Sequence, residues 1–186
     1  ACVVVEPVLG SGGSIPADPE ILKALRELCT ENGTLLVFDE VITGFRLSLG
    51  GAQKVYGVTP DLTILGKILG GGLPIGALCG RWEYMELIDH RRRPKPWERS
   101  FHGGTFTANP ASTTAGLATL EALKRGDVYE HVNKLGERMR RGLEEVFEDT
   151  GFDACTTGMG SMLSIHPTRE RPKRPVELSN RDKLLL

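Results

Sequence analysis

The sequence carries no excess of charge of either sign and has no long apolar run. Its 186 residues include 23 Lys and Arg against 24 Asp and Glu. This balance excludes a strongly basic nucleic-acid-binding protein and an acidic disordered tail. No apolar run reaches the ~18 residues of a transmembrane helix, and no signal peptide is recognisable. We therefore expect a globular protein that binds neither nucleic acid nor a membrane.

Cysteine is scarce and is not arranged to bind a metal. The four cysteines, Cys2, Cys29, Cys79 and Cys155, form no CxxC pair and have no spacing typical of a metal site. Cysteines of this kind are most often buried, reduced thiols of proteins in a reducing compartment. The sequence thus predicts a cytoplasmic protein without a metal site.

The usual signals at the two ends of a chain are also lacking. The sequence opens at Ala1, inside an apolar run that is typical of a strand already under way. It ends at 183–186 without a stop signal. These features predict a piece of a longer protein.

Glycine, in contrast, is abundant and clustered. It accounts for 23 of the 186 residues, well above the usual ~7%. The clusters lie at 10–13, 70–72 and 103–104. Clustered glycine marks loops in which the backbone comes close to another group, so the pattern indicates a ligand.

Hydrophobic spacing and turn residues predict alternating strands and helices. A strand, a helix and a second strand open the chain, and this order is typical of a βαβ unit in a largely parallel sheet. We expect an α/β domain over 1–125, then an interdomain helix and a partial small α+β domain over 126–186. The predicted strands are 3–6, 35–38, 62–65 and 75–79, the helices 18–32, 81–88, 109–125 and 127 to about 150, and the small sheet 152–156 with 159–165.

Two glycine motifs fail as nucleotide-binding signatures. The run Gly10–Ser14 follows a strand, but Ile15 stands where the dinucleotide motif GxGxxG needs its third glycine. Gly66-Lys67 lacks the remaining residues of a phosphate-binding P-loop, because Asp61 and Ile68 occupy their positions. A nucleotide-binding domain is therefore the least favoured interpretation of the sequence.

Asp39 and Lys67 are the strongest candidates for chemistry. Each lies at the carboxyl end of a predicted parallel strand, where open α/β sheets place their ligands. Each also has an ordinary interpretation, Asp39 as a helix cap and Lys67 as a surface lysine. Together they suit pyridoxal phosphate, because a lysine amine forms a Schiff base with an aldehyde and a carboxylate keeps a pyridine nitrogen protonated.

Four ordered segments resemble class III pyridoxal phosphate-dependent aminotransferases, and the resemblance extends over nearly the whole chain. It is closest to the glutamate-1-semialdehyde aminomutase-like branch. The segments are Glu6-Pro7, FDEVITGFR over 38–46, PDLTILGKILGGGLPIG over 60–76 and GTFTANP over 104–110. The resemblance implies the fold of a fold-type I transferase. The chain is expected to contain part of the mainly parallel sheet of the large domain, with its flanking helices, and the start of the small domain.

The resemblance also assigns roles around the cofactor, pyridoxal 5′-phosphate. It implies that Lys67 is the Schiff-base lysine and acid/base and that Asp39 pairs with the pyridine nitrogen. Val41, otherwise a plain core valine, is expected to pack against the ring. Glu6 is expected to support these contacts from behind. The Thr105 hydroxyl and the backbone beside Gly104 are expected to bind the phosphate of the neighbouring subunit in a homodimer.

The implied reaction is amino-group transfer between a small-molecule donor and a carbonyl acceptor. Ile42 stands where many class III enzymes have glutamine, which favours the aminomutase-like branch. His102 to Phe106 instead resembles amino-acid aminotransferases, so transamination and an intramolecular 1,2-shift both stay open. The phosphate loop and stacking aromatic of the family's N-terminal half are absent from the sequence. The alternative is therefore an incompetent truncated fragment that serves at most as an α/β association module.

Overall fold

The computed structural model describes residues 1–177, and a four-stranded sheet forms its centre. The strands pair in the order β1 (Cys2–Val5), β2 (Leu35–Glu40), β3 (Leu62–Leu65) and β4 (Ala77–Gly80). The first three are parallel, and β4 is antiparallel to β3. The largely parallel sheet is confirmed. The link 66–76 is too short for a crossover helix, so the chain returns in the opposite direction.

Helices connect the strands where the sequence predicts them, with one addition. Asp18 caps the first helix by accepting a hydrogen bond from the Glu20 N–H. The added helix is short and begins at Gly51, directly after Gly50. Paired glycines are typical of turns, so the sequence does not predict a helix there. The predicted helix at 81–88 is one helical turn followed by a 3₁₀ turn over Glu86–Ile88. The helices are α1 (Pro19–Glu31), α2 (Gly51–Tyr56), α3 (Trp82–Met85), α4 (Pro110–Lys124) and α5 (Asp127–Thr150).

The small second sheet is confirmed, but its strands are shorter and lie further along the chain. It consists of β5 (Cys155–Thr157) paired antiparallel with β6 (Ser164–His166). Gly158 and Gly160 have φ values of 147° and 56°. A backbone with positive φ leaves the extended conformation, so the predicted strand over 159–165 begins later than expected.

One apolar cluster joins the two sheets. Val8, Leu36 and Phe38 are fully buried beneath α1, and Met162, which precedes β6, belongs to the same cluster. This packing places the small sheet beside the loops that leave β1 and β2. The division into domains at 125 and 126 stays a prediction.

The four cysteines are free thiols, but only two of them are buried. Cys29 and Cys155 are buried as predicted. Cys2 and Cys79 are exposed, because they lie on the two outer strands β1 and β4. Among the described residues, no helix has both the length and the apolar character needed to cross a bilayer.

Candidate functional site

Three predicted site residues meet at the carboxyl edge of the parallel strands. Val5, the last residue of β1, pairs with Phe38, so Glu6 stands level with Asp39 on the neighbouring strand. Asp39 in turn pairs with Ile64 of β3, which precedes Lys67 by three residues. The strand order therefore brings the carboxylates of Glu6 and Asp39 and the amine of Lys67 to one edge of the sheet.

Asp39 is half-buried and keeps one carboxylate oxygen available. Its Oδ1 accepts a hydrogen bond from the Val41 N–H at 3.0 Å. Within residues 1–177, its Oδ2 makes no hydrogen bond. The helix-cap interpretation is wrong, because the next helix begins only at Gly51. Asp39 instead closes a local turn and retains an oxygen that can hold a cationic N–H group.

Lys67 is exposed and has an unusual backbone conformation. Its φ of 47° lies in the left-handed region, which a side chain with a Cβ rarely adopts. Such strain costs of order 1–3 kcal/mol and concentrates at functional sites. The sequence gives no sign of this conformation. The strain supports a functional interpretation of Lys67 over that of an ordinary surface lysine.

The turn that begins at Lys67 is held from behind by α4. It is a 3₁₀ turn, Lys67–Gly70. A Cβ on Gly116 of α4 would overlap the Leu69 carbonyl oxygen. A Cβ on Gly71 would lie 2.6 Å from the Ala115 carbonyl oxygen. Backbone therefore packs directly on backbone, and this contact fixes the position from which the Lys67 side chain leaves the sheet.

Val41 lies next to the same turn. A Cβ built on Gly66 would lie 3.4 Å from Val41 Cγ1, so the Val41 side chain faces the residue before Lys67. Val41 is only partly buried, which distinguishes it from the fully buried Leu36 and Phe38 of the core. The structure thus brings Val41 together with Asp39 and the Lys67 turn, with part of its surface still accessible.

Glu6 holds the glycine-rich loop at the edge of this group. Its Oε2 accepts a hydrogen bond from the Gly10 N–H at 2.9 Å. A Cβ on Gly10 would overlap the Ile42 side chain, so the loop lies directly against the residue after Val41. Glu6 therefore contributes to the shape of the site through the loop.

The far end of the same loop is fastened by the small sheet. The Ser164 hydroxyl donates to the Ser14 hydroxyl at 2.9 Å, and the Thr157 hydroxyl donates to the Gly13 carbonyl oxygen. His166 is buried, and its Nε2 lies 2.7 Å from the Thr157 hydroxyl. Packing of the small sheet thus orders a loop that borders the site.

Gly104 and Thr105 make no hydrogen bond to this group among the described residues. Both are exposed in the irregular segment before α4. The Gly104 carbonyl oxygen accepts a hydrogen bond from the Thr107 N–H. In the part of the chain that the structure describes, no hydrogen bond joins either residue to Asp39 or Lys67. Their role at a neighbouring subunit stays a prediction.

Two acidic residues with extensive contacts were not singled out as important in the sequence. Glu40 is fully buried and accepts hydrogen bonds from Thr43, Ala52 and Gln53. For both acidic residues, the only signal in the sequence is an acidic side chain inside or beside an apolar strand. Such a carboxylate needs hydrogen-bond partners when it is buried.

The second of these residues, Asp61, ties the strands together at the opposite end of the sheet. Its Oδ2 accepts from the Leu36 N–H and from Arg26, both at 2.8 Å. Burial alone raises the pKa of the Asp61 carboxyl, but hydrogen bonds from Leu36, Arg26 and Arg81 outweigh burial and hold the pKa below its usual value. Asp61 therefore acts as a structural anion.

The arrangement at the carboxyl edge suits carbonyl chemistry. An exposed primary amine can attack an aldehyde, and a nearby carboxylate can stabilise a protonated ring nitrogen. Among residues 1–177, no group of three or more His, Cys, Asp or Glu side chains is placed to hold a metal ion. The candidate site is thus an amine and carboxylate pair at the end of β2 and β3.

A separate groove of about 1140 Å³ lies away from these residues. It runs between the start of α1, α5 and the segment 171–174, and its wall mixes arginine and glutamate side chains. None of the candidate site residues lines it. The groove therefore does not contribute to the amine and carboxylate pair.

Comparison with known proteins finds, over nearly the whole chain, the family that the sequence motifs resemble. A family model described as Aminotransferase class-III matches residues 1–183. A glutamate-1-semialdehyde 2,1-aminomutase of Methanopyrus kandleri is 49% identical over 164 residues, which are 88% of this chain and 37% of that protein.

Two solved structures are also similar. An omega-transaminase from Sphaerobacter thermophilus is 40% identical with a TM-score of 0.87, and the match covers 95% of this chain and 39% of that chain. A transaminase with PLP bound is 34% identical with a TM-score of 0.80, and the match covers 89% and 38%. The chain thus spans about two fifths of the length of these proteins.

Proposed function

The chain belongs to the class-III aminotransferases, and from that premise we propose that it supplies the lysine-bearing part of a pyridoxal 5′-phosphate-dependent enzyme that transfers amino groups. One observation supports the proposal above all others. The exposed Lys67 lies on a strained turn after β3, and the neighbouring strand β2 carries the half-buried Asp39, which among residues 1–177 keeps one carboxylate oxygen without a hydrogen bond.

The residues at the sheet edge fit this cofactor. The aldehyde needs an amine, which Lys67 offers, and the pyridine nitrogen needs an acid, which Asp39 offers. Val41 presents a partly exposed apolar surface beside both residues. A related transaminase of known structure has PLP bound. When bound, pyridoxal phosphate supplies an aldehyde for amines and a ring that accepts electrons.

Each of these residues is proposed to serve a different part of the site. Lys67 Nζ would hold the cofactor through its aldehyde carbon, and as a free amine it would take a proton from the substrate α-carbon and return it at another carbon. Asp39 would keep the ring nitrogen protonated. Val41 would offer an apolar surface to the ring, and Glu6 holds the Gly10 loop in place.

Gly104 and Thr105 are proposed to bind the phosphate group of a neighbouring subunit in a homodimer. Their exposure supports a partner outside their own chain. The hydroxyl of Thr105 and the backbone N–H groups around it are suitable donors for phosphate oxygens. We also propose a cytoplasmic location, which the four free cysteines support.

The substrates are proposed to be a small amino compound and a small carbonyl compound. The relatives include an aminomutase at 49% identity and a transaminase at 40%, so transamination and an internal 1,2-shift are both candidate reactions. Ile42, packed over Gly10, favours the aminomutase-like branch.

A catalytically incompetent association module is the second candidate. The observation in its favour is coverage, since the chain spans about two fifths of its relatives. We therefore assign the activity to the full-length protein that contains this chain.

The test is amino-group transfer by that full-length protein with added pyridoxal phosphate. We expect turnover in the unsubstituted enzyme and in Lys124→Ala, a control at the exposed end of α4. We expect none above background in Lys67→Ala, even where the cofactor still binds non-covalently. Turnover by Lys67→Ala at the control rate contradicts the proposal, and inactivity of the unsubstituted enzyme favours the association module.

A further inference from the structure

We propose that Glu40 is a positioning residue for the cofactor site, an inference that rests on the proposed function. Glu40 stands between Asp39 and Val41 in the sequence, yet its side chain is fully buried. Because successive side chains of a strand point to opposite faces, Glu40 faces away from Asp39. It acts on the site by holding the turn that carries both neighbours.

The Glu40 carboxylate is surrounded by hydrogen-bond donors. Oε2 accepts from the Ala52 N–H at 2.5 Å and from the Thr43 hydroxyl at 3.0 Å. Oε1 accepts from the Gln53 N–H and the Gln53 side-chain amide, both at 3.1 Å. Within residues 1–177, no lysine or arginine pairs with it. All four contacts come from N–H or O–H donors, so both oxygens of the carboxylate act as acceptors.

This set of contacts joins three separate segments. Thr43 belongs to the turn after β2, and the Gly44 N–H also donates to the Glu40 carbonyl oxygen at 2.8 Å. Ala52 and Gln53 form the first turn of α2. Gln53 also reaches the Thr63 hydroxyl of β3 at 3.3 Å. Glu40 thus connects β2, its following turn, α2 and β3.

Backbone packs tightly on Glu40, with Gly51 against its carboxylate and Gly44 against its main chain. Gly51 has a φ of 66°, and a Cβ at that position would overlap Glu40 Oε2. A Cβ on Gly44 would lie 2.6 Å from the Glu40 carbonyl oxygen and 2.6 Å from Leu65 Cδ2. Tight enclosure on both sides means that a change at Glu40 must displace the backbone around it.

A displaced backbone changes the site directly. Glu40 pairs with Leu65, the residue before Gly66 and Lys67. Asp39 and Val41 are its covalent neighbours, so a shift at Glu40 alters their position relative to the Lys67 amine. Displacements of about 1 Å at a catalytic group are enough to lower rates by about 100-fold.

The test is Glu40→Gln in the full-length holoenzyme. The amide keeps the size of the carboxylate but turns an NH₂ group toward N–H and O–H donors. We expect the cofactor to stay on Lys67, while the pH midpoint of its visible absorbance shifts. We also expect kcat to fall about 10- to 100-fold with a smaller change in KM. Thr43→Val, which removes one donor, is expected to shift the same midpoint by less.

Asp61→Asn is the matched control. Asp61 also accepts hydrogen bonds from a backbone N–H and a side chain, those of Leu36 and Arg26, both at 2.8 Å, but it lies at the opposite end of the sheet. We expect this variant to lose thermal stability with the absorbance midpoint and kcat unchanged.

The outcomes separate the inference from the proposed function. If Glu40→Gln and Thr43→Val lower Tm but leave the absorbance midpoint and kcat of the folded enzyme unchanged, Glu40 is only structural and the inference is wrong. If Glu40→Gln does not fold, Thr43→Val decides alone by the same criterion. A cofactor that is not attached to Lys67 in the unsubstituted enzyme refutes the proposed function, and the inference with it.

Discussion

Asp39 and Glu40 are adjacent carboxylates in opposite surroundings. Glu40 is fully buried and accepts four hydrogen bonds, so its capacity to bind a further group is filled. Asp39 is half-buried and, among residues 1–177, accepts one hydrogen bond, from the Val41 N–H. Alternation along β2 separates the two side chains. A single dipeptide therefore provides a group that anchors the backbone and a group that is free for a ligand.

Asp39→Asn is expected to preserve the fold and to remove most of the activity. The asparagine oxygen still accepts from the Val41 N–H, but a neutral amide does not hold the ring nitrogen protonated. We expect kcat of the full-length enzyme to fall about 100-fold or more, with thermal stability little changed. Asp39→Glu is expected to keep part of the activity. A near-normal rate in Asp39→Asn would remove Asp39 from the site.

Asp61 is expected to make stability depend on pH. Its pKa is held below the usual value of ~3.9 by Leu36, Arg26 and Arg81, against the opposing effect of burial. A lowered folded-state pKa adds stability above the unfolded value, and this stability is lost as pH falls through the folded value. Asp61→Asn is thus expected to destabilise the protein by about 1–3 kcal/mol at pH 7, and by less below pH 4.

Urea unfolding over a series of pH values measures this effect. The control is Asp153→Asn, whose exposed ion pair with Arg169 is expected to contribute less than ~1 kcal/mol. If Asp61→Asn loses the same stability at pH 2 as at pH 7, the carboxylate does not contribute through its charge.

At the scale of elements, local sequence signals predicted where helices and strands lie. They predicted less well how these elements pair and pack with one another. Asp18-Pro19 and Asn109-Pro110 correctly predicted two helix starts, because capping depends on neighbouring residues alone. The antiparallel direction of β4 depends on the length of the link before it, and α2 depends on contacts with Glu40. Such tertiary causes leave little pattern in the sequence.

Alanine substitutions at two helical glycines, Gly116 and Gly142, test the packing of α4 on the Lys67 turn. Gly116→Ala would force a methyl group into the Leu69 carbonyl oxygen, which is backbone and has little freedom to move. We expect a loss of about 1–3 kcal/mol and weaker attachment of the cofactor to Lys67. Chemical unfolding and the yield of the reduced lysine adduct measure the two effects.

Gly142→Ala in α5 is the matched control, because nothing lies within 4 Å of a Cβ at that position. We expect it to stabilise the protein by up to about 1 kcal/mol and to leave the adduct unchanged. Equal behaviour of the two alanine variants contradicts direct packing of α4 on the turn.

At the scale of the whole molecule, the sequence predicted the family and the main features of the fold. The class-III aminotransferase assignment is confirmed by a match over residues 1–183. The structure places Asp39, Val41 and the Lys67 turn at one edge of the sheet, and their roles stay predictions. The strain at Lys67 and the role of Glu40 were missed, because both arise from backbone packing that brings distant segments together.

The roles proposed for Gly104 and Thr105 concern a neighbouring subunit. Both residues are exposed, and among residues 1–177 no hydrogen bond joins them to Asp39 or Lys67. The chain also spans about two fifths of its relatives, so the activity is proposed for the longer protein. The lysine proposed to carry the cofactor, in contrast, lies within this chain.

The most direct test identifies the lysine that carries the cofactor. The full-length enzyme is incubated with pyridoxal phosphate, reduced with borohydride, digested and mapped by mass spectrometry. We predict a pyridoxyl group on Lys67 at close to one per chain, with the other lysines essentially unmodified. Label on a different lysine, or spread evenly over the exposed lysines, would contradict the account.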